Sequence, residues 1–80
     1  MERTEVLRKV QELLSEIIDN EELELTEESL PQTVEDWDSL AHFQLVMEIQ
    51  TEFGIKIGAG EIQSWKNVGD IINTILGKLA

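Results

Sequence analysis

Residues 37–54 read WDSLAHFQLVMEIQTEFG, and this stretch decides the fold. Asp38 is a typical helix N-cap and Gly54 a typical helix end, so we predict a helix from Asp38 or Ser39 to about Phe53. This helix has two apolar stripes on roughly opposite sides. The first, which needs burial, consists of Leu45, Val46, Ile49 and Phe53. The second consists of Leu40, Phe43 and Met47. Because a domain of 80 residues has only one thin core, a loop covers the second stripe or the stripe is a docking surface.

Two amphipathic segments flank this helix, and each has a single apolar stripe. The first segment runs from about Arg3 to Asp19, and its stripe is formed by Val6, Val10, Leu13 and Ile17, with Leu7, Leu14 and Ile18 beside them. The last follows Asn67, a good N-cap, and its stripe is formed by Val68, Ile71, Ile72, Ile75, Leu76 and Leu79. Between Gly54 and Asn67 only a short helix fits, because Gly58 and Gly60 each cost up to about 1 kcal/mol in a helix interior. We therefore predict an all-α fold, a small bundle of three main helices plus a short, weak third helix in a connecting loop, as one domain over residues 1–80.

A long acidic loop connects the first two helices. It holds nine carboxylates from Asp19 to Asp38 and no Lys or Arg, within a chain of net charge −11. We expect one turn near Glu27 to Leu30, an interruption at Pro31, and apolar anchors at Leu23, Leu25, Leu30, Val34 and Trp37. Such a field repels nucleic acid and anionic membranes and attracts basic protein surfaces. The alternative is that the acidic residues serve only to keep the protein soluble.

Several classes of protein are disfavoured by what the chain lacks. It has no Cys for disulfides or metal ligation. Its longest apolar run, residues 45–47, is too short to cross a membrane, and no apolar signal region follows Met1. We therefore expect a soluble cytoplasmic protein. Residues 36–38 begin like a calcium-binding loop, but the required Gly and later Glu are missing, so we expect no metal site.

The sequence offers few side chains for conventional catalysis. The one histidine, His42, lies three residues after Ser39, but Asp38 is the expected N-cap and is not free to complete a triad. We expect His42 to be a partly buried residue at the top of the core stripe. Ser39 lies in the first turn, where free backbone amides stabilise a phosphate ester. These residues alone favour a plain cap residue, because Asp-Ser-Leu is common by chance.

The whole chain nevertheless resembles the acyl carrier proteins. The residues that carry this resemblance are Trp37-Asp38-Ser39-Leu40, Phe43, Leu45-Val46-Met47, Ile49 and Phe53-Gly54, followed by Ile57, Glu61, Val68, Ile71-Ile72 and Ile75. The resemblance implies a bundle of three main helices with a minor third helix. It implies 4′-phosphopantetheine on Ser39, within Asp38-Ser39-Leu40, installed from coenzyme A by a phosphopantetheinyl transferase. It also implies a monomeric carrier, itself no enzyme, that presents acyl thioesters to acyl-transferring and acyl-modifying enzymes with basic docking surfaces.

Departures from the family pattern leave the pathway open. Carboxylates that fatty-acid carriers often have are replaced here by Ala41, Gln44, Gln50 and Thr51. Together with Trp37 and His42, these residues resemble discrete carriers of specialised fatty-acid-like or polyketide-like pathways. Peptidyl carriers usually have Gly-rich residues before the Ser, which Glu35-Asp36-Trp37 does not match, yet an aminoacyl cargo stays open. A further alternative also stays open, namely that the chain is an unmodified acidic adaptor that binds basic proteins.

Two surfaces follow from this interpretation. The expected partner-binding residues are Leu40, Phe43, Met47, Glu48 and Asp36. An acyl chain is expected to enter between the helices, with His42 near the mouth and a lining formed by Leu45, Val46, Ile49 and Ile62.

Overall fold

Apolar residues at helical spacing form four α-helices in the computed structural model, which describes residues 1–80. These are α1 (Arg3–Ile18), α2 (Ser39–Phe53), α3 (Ala59–Ser64) and α4 (Val68–Leu79), and a 3-10 turn at Pro31–Thr33 precedes α2. The predicted all-α fold, with three main helices and a short third helix, is confirmed. Helix α1 ends one residue earlier than predicted, because Asp19 adopts a left-handed conformation with φ of 54°.

The core lies where α1, α2 and α4 meet. Side chains from all three helices are fully buried there: Val6, Val10, Leu14, Leu45, Ile49, Val68, Ile71, Ile72 and Ile75. Leu13 and Ile17, expected in the α1 stripe, are only half-buried at its edge, and Leu14 takes the central position. The apolar stripe of α1 is therefore rotated slightly from the predicted one.

The predicted helix boundaries of α2 and α4 are held by their caps. Asp38 Oδ1 accepts a hydrogen bond from Ala41 N at 2.8 Å, and Asn67 Oδ1 accepts one from Asp70 N at 3.0 Å. Gly54 ends α2 with a φ of 64°, a left-handed conformation in which glycine has no Cβ penalty. The N-caps at Asp38 and Asn67 and the end at Gly54 are thus confirmed.

The acidic loop is more ordered than the sequence suggested. Its backbone is fixed to the start of α4, since Val68 N donates to Ser29 O at 3.0 Å and Gly69 N donates to Glu27 O at 2.8 Å. A Cβ at Gly69 would lie 3.1 Å from Glu27 O, so the close approach favours glycine. Among the predicted anchors Leu23, Leu25 and Trp37 are buried, whereas Leu30 and Val34 are half-buried.

Pro31 has a structural role in the loop beyond the predicted interruption. A turn does occur at residues 27–28, but Pro31 then begins the 3-10 turn. Proline suits this first position because its φ is already helical and its missing N–H would have had no partner there.

Helix α3 is the least supported element, since none of its residues is buried. Polar contacts attach it and the following residue to α4: Lys78 Nζ lies 2.8 Å from Glu61 Oε1, and Trp65 Nε1 donates to Thr74 Oγ1 at 2.8 Å. The weak third helix that the glycines predicted is therefore confirmed. None of the four helices has the length and apolar character needed to cross a membrane.

Candidate functional site around Ser39

Ser39 is the first residue of α2, and its side chain is exposed. Asp38 uses its side chain to accept from Ala41 N, which leaves the amides of Ser39 and Leu40 without a protein acceptor. The Ser39 hydroxyl also has no protein hydrogen-bond partner. A free hydroxyl therefore lies at the positive end of a 15-residue helix, where a phosphate ester is stabilised by backbone N–H groups.

The other serine hydroxyls differ from Ser39 in being engaged locally. Ser15 Oγ donates to Asn20 O at 2.6 Å, and Ser64 Oγ donates to Glu61 O at 2.6 Å. Ser29 Oγ accepts from Thr26 N at 2.9 Å. Ser39 is thus the one serine whose hydroxyl is both exposed and free to react.

On one side of Ser39 lies a cleft of about 410 Å³ with two indole rings in its walls, which we call the aromatic cleft. It is lined by Pro31, Gln32, Trp37, Asp38, Ser39, His42 and Trp65. The acidic loop, the start of α2 and the residue after α3 all contribute to it. This cleft was not predicted from the sequence.

His42 lies between the two indoles of the aromatic cleft. Its ring centroid is 5.9 Å from that of Trp37 and 5.9 Å from that of Trp65. Trp37 Nε1 donates to His42 Nδ1 at 3.1 Å, so the neutral imidazole carries its proton on Nε2. Burial lowers the pKa of His42, which favours this neutral form. The expected partly buried histidine is confirmed, and with Nδ1 bound to an indole it has no triad geometry.

Ser39 also lines a second cleft of about 320 Å³, which we call the apolar cleft. It is lined by Ser39, His42, Phe43, Val46, Met47, Gln50, Ile57 and Ile62. Three of the residues predicted to line an acyl-binding pocket, Val46, Ile62 and His42, line this cleft. The other two, Leu45 and Ile49, are fully buried in the core, and their predicted role in lining stays a prediction.

Helical geometry explains which residues of α2 line the apolar cleft. Residues 45 and 49 share the core face of α2, whereas residues 43, 46, 47 and 50 recur at the i, i+3, i+4, i+7 spacing of a different face. That spacing was the signal in the sequence for Phe43, Met47 and Gln50. Ile57 lies after Gly54 and had no comparable signal.

The second stripe of α2 is uncovered. Leu40, Phe43 and Met47 are 65%, 63% and 49% exposed, so the acidic loop does not cover them. Phe43, Met47 and Glu48 border a groove between α1 and α2 of about 370 Å³, which also includes Leu13, Glu16, Ile17 and Gln44. Leu40 and Asp36 are exposed but lie outside this groove. The contribution of α1 was missed, because Leu13 and Ile17 were assigned to the core.

The acidic loop is poorly neutralised. Of its nine carboxylates, only Glu27 forms an ion pair, with Arg3. Arg3 Nε donates to Glu27 at 3.1 Å and Nη1 donates to Asn73 Oδ1 at 2.6 Å, which joins α1, the loop and α4. The hydrogen bond from Arg3 lowers the pKa of Glu27. The structure contains no group of three or more His, Asp or Glu side chains arranged to hold a metal ion.

Comparisons with known proteins point to one family. Residues 4–75 match the family model described as phosphopantetheine attachment site. An acyl carrier protein from Thermotoga maritima is 35% identical over 79 residues, which cover 96% of this chain and 95% of the relative. An acyl carrier protein from Borreliella burgdorferi is 35% identical over 77 residues, which cover 94% of each chain.

Solved structures agree with the sequence comparisons. The solution structure of a holo acyl carrier protein from Geobacter metallireducens superposes with a TM-score of 0.84 at 32% identity, covering 91% of this chain and 84% of that one. The crystal structure of the acyl carrier protein from Thermotoga maritima has a TM-score of 0.82 at 30% identity, covering 99% of this chain and 92% of that one.

Proposed function

Because the chain belongs to the acyl carrier protein family, whose prosthetic group is phosphopantetheine, we propose that Ser39 is the residue that carries the arm. The observation that carries this proposal is the contrast among the serine hydroxyls. Those of Ser15, Ser29 and Ser64 are held in local hydrogen bonds, whereas that of Ser39 is free at a helix N-terminus. Asp38 and Leu40 flank it, and Asp38 fixes the start of α2 through Ala41 N.

The attachment step is a transfer of the phosphopantetheinyl group by a separate transferase. Ser39 Oγ loses its proton and bonds to the β-phosphorus of coenzyme A, while the pyrophosphate bond to adenosine 3′,5′-bisphosphate breaks. The free amides of Ser39 and Leu40 would stabilise the negative charge of the resulting phosphodiester. When attached, the arm supplies the thiol on which acyl groups are carried as thioesters.

Intact mass tests this assignment. The wild-type protein, incubated with a phosphopantetheinyl transferase and coenzyme A, should gain one phosphopantetheinyl group, and Ser39→Ala should gain none. Ser64→Ala is the matched control and should be modified like wild type. Equal melting temperatures for Ser39→Ala and wild type would show that the fold is retained, because the exposed hydroxyl makes no contact. Modification of Ser39→Ala at another serine would disprove the assignment.

We further propose that the protein performs no chemistry of its own. Its single imidazole is bound to an indole through Nδ1, and the neighbouring Asp38 carboxylate caps a helix. The alternative of an unmodified acidic adaptor is distinguished by the same mass measurement, since an adaptor stays at its unmodified mass with every transferase tested. An aminoacyl cargo is distinguished by loading the holo protein with aminoacyl- and acyl-activating enzymes in parallel.

The proposed partner face consists of Leu40, Phe43, Met47, Glu48 and Asp36. Exposed apolar groups supply contact area, whereas the carboxylates attract the basic docking surfaces of the transferase and of acyl-transferring and acyl-modifying enzymes. With a net charge of −11, copies of the protein repel one another, which supports a monomer. We also propose a cytoplasmic location, because attachment of the arm requires the protein, the transferase and coenzyme A in one compartment.

The apolar cleft is the proposed shelter for the acyl chain. It begins at Ser39, and Val46 and Met47 on α2 face Ile62 on α3 across it. Because α3 has no buried residue, it can move away from α2 without opening the core between α1, α2 and α4.

We propose a specialised acyl pathway rather than housekeeping fatty-acid synthesis. Ala41, Gln44, Gln50 and Thr51 leave α2 with only Glu48 and Glu52 as acidic groups, which weakens charge matching to enzymes that select carboxylate-rich carriers. The holo protein should therefore be a poor substrate for housekeeping enzymes and a good one for enzymes of its own gene neighbourhood. Equal efficiency with both sets would contradict the specialised interpretation and leave the carrier assignment intact.

A further inference from the structure

Two clefts of different chemistry meet at Ser39, and His42 forms a wall of each. The apolar cleft offers a single amide side chain, that of Gln50. Its Oε1 already accepts from Ile57 N at 2.8 Å, and its Nε2 contacts Met47 Sδ at 3.7 Å. Apart from Ser39 and His42, which it shares with the aromatic cleft, the apolar cleft therefore has no polar side chain free to bind a polar ligand.

The aromatic cleft has more polar side chains in its lining, since Gln32 and Asp38 join the shared residues Ser39 and His42. His42 Nδ1 accepts from the Trp37 indole, which directs the imidazole proton to Nε2. Nε2 has no protein partner and is accessible to solvent. Gln32 adds an exposed amide at the rim. Asp38 is the only acidic residue of the cleft, and its Oδ1 is engaged by Ala41 N.

The phosphopantetheine arm is itself mostly polar. It joins a phosphodiester to a geminal dimethyl group, a hydroxyl and two amides, and only the acyl group beyond the thiol is wholly apolar. Amides placed in the apolar cleft would lose water without gaining protein hydrogen bonds, which is unfavourable. Indole rings beside hydrogen-bonding groups accommodate a chain of alternating apolar and polar groups.

We propose that the arm, once attached to Ser39 as proposed above, lies in the aromatic cleft, with His42 Nε2–H donating to a phosphate oxygen and the indoles of Trp37 and Trp65 packed against the dimethyl group. His42 is one helical turn from Ser39, so the phosphate is within its reach. The indole of Trp65 is itself oriented by its hydrogen bond to Thr74 at 2.8 Å. His42 is thus a positioning residue that holds the unacylated arm beside Ser39.

The test compares apo and holo protein by NMR. In the holo protein, the arm's methyl protons should give nuclear Overhauser effects to indole protons of Trp65 and Trp37 and none to Val46 or Met47. Trp65 is distant in sequence from Ser39, so its indole N–H resonance should shift on conversion to holo through contact alone. Effects confined to Val46, Met47 or Ile62, or to no protein side chain, would overturn the proposal.

A variant pair tests the role of His42. His42→Phe keeps an aromatic wall and removes the donor, so the arm-to-Trp65 effects should be lost or severalfold weaker. Gln63→Ala, an exposed position of α3 outside both clefts, should leave them unchanged, and melting temperatures check both folds. If His42→Phe does not fold, the comparison of apo and holo wild-type protein by NMR still tests where the arm lies. Failure of the protein to gain the arm at all contradicts the function, whereas a modified protein with a free arm contradicts only this inference.

Discussion

Truncation of Phe43 separates docking from folding on the same helix. Phe43 belongs to the uncovered stripe of α2 and borders the groove between α1 and α2. If this face docks partner enzymes, Phe43→Ala should weaken binding of the transferase and leave the fold intact. Ile49, six residues later, is fully buried, so Ile49→Ala should destabilise the fold.

The size of the effect follows from the exposure of the side chain. An aromatic side chain buries about 150–250 Å², and Phe43 is 63% exposed, so about 100–150 Å² is left to bury on docking. At about 25 cal/mol per Å² this is worth about 3 kcal/mol, of which truncation to Ala removes about 2–3 kcal/mol. The Kd for the transferase should therefore rise about 30- to 150-fold.

Stability should change far less at Phe43 than at Ile49. The modest burial that Phe43→Ala loses is partly offset by the higher helix propensity of Ala, about 0.5 kcal/mol. Ile49→Ala loses about 2–5 kcal/mol, which in a domain of this size lowers Tm by about 10 °C or more.

The assay is titration calorimetry of each apo variant with the transferase, together with thermal unfolding. Gln63→Ala is the matched control, because Gln63 is an exposed residue of α3 outside the proposed face. A Phe43→Ala protein that binds the transferase with wild-type affinity would refute the docking face. A large loss of Tm in Phe43→Ala would show instead that the side chain supports the fold.

Three further outcomes follow from the electrostatics and from α3. Since only Glu27 of the nine loop carboxylates is ion-paired, added salt or millimolar Mg²⁺ should raise Tm by screening repulsion, and a Tm unaffected by both would contradict this. Because burial lowers the pKa of His42, the unfolded chain binds the proton more readily. The Tm of wild type relative to His42→Phe should therefore fall from pH 7 to pH 5, and a constant difference would show an unperturbed imidazole. Amide hydrogens of residues 55–66 should exchange faster than those of α1 in the apo protein and slow down on acylation, whereas equal protection in both segments would argue against a mobile α3.

The helices could be predicted because their causes are local. Apolar spacing fixes the buried faces, and Asp38, Gly54 and Asn67 fix boundaries within a few residues of sequence. The order in the acidic loop could not be predicted, because its causes are distant. Leu25 N donates to Gln11 Oε1 at 2.7 Å and Gly69 N donates to Glu27 O at 2.8 Å, and no local pattern announces contacts between residues so far apart.

The same distinction between local and distant causes applies to the residues of the site. Ser39 could be located from its cap and its resemblance to a known motif, since both lie in adjacent residues. The aromatic cleft could not, because it exists only when Trp65, after α3, meets His42 on α2. The burial of Leu45 and Ile49 could be predicted from the α2 stripe, whereas the part that Ile57 takes in the apolar cleft could not.

The division of the core explains how so small a chain can both fold and hold cargo. The fully buried side chains come from α1, α2 and α4, whereas α3 contributes none. Its ion pair between Glu61 and Lys78 is exposed to solvent, and such pairs contribute little to stability. Moving α3 therefore leaves the fully buried core intact. Because Ile62 of α3 lines the apolar cleft and the adjoining Trp65 lines the aromatic cleft, a displacement of this one segment would change the width of both. A permanent cavity would remove packing from an already thin core, so a displaceable α3 would accommodate the proposed cargo at less cost to stability.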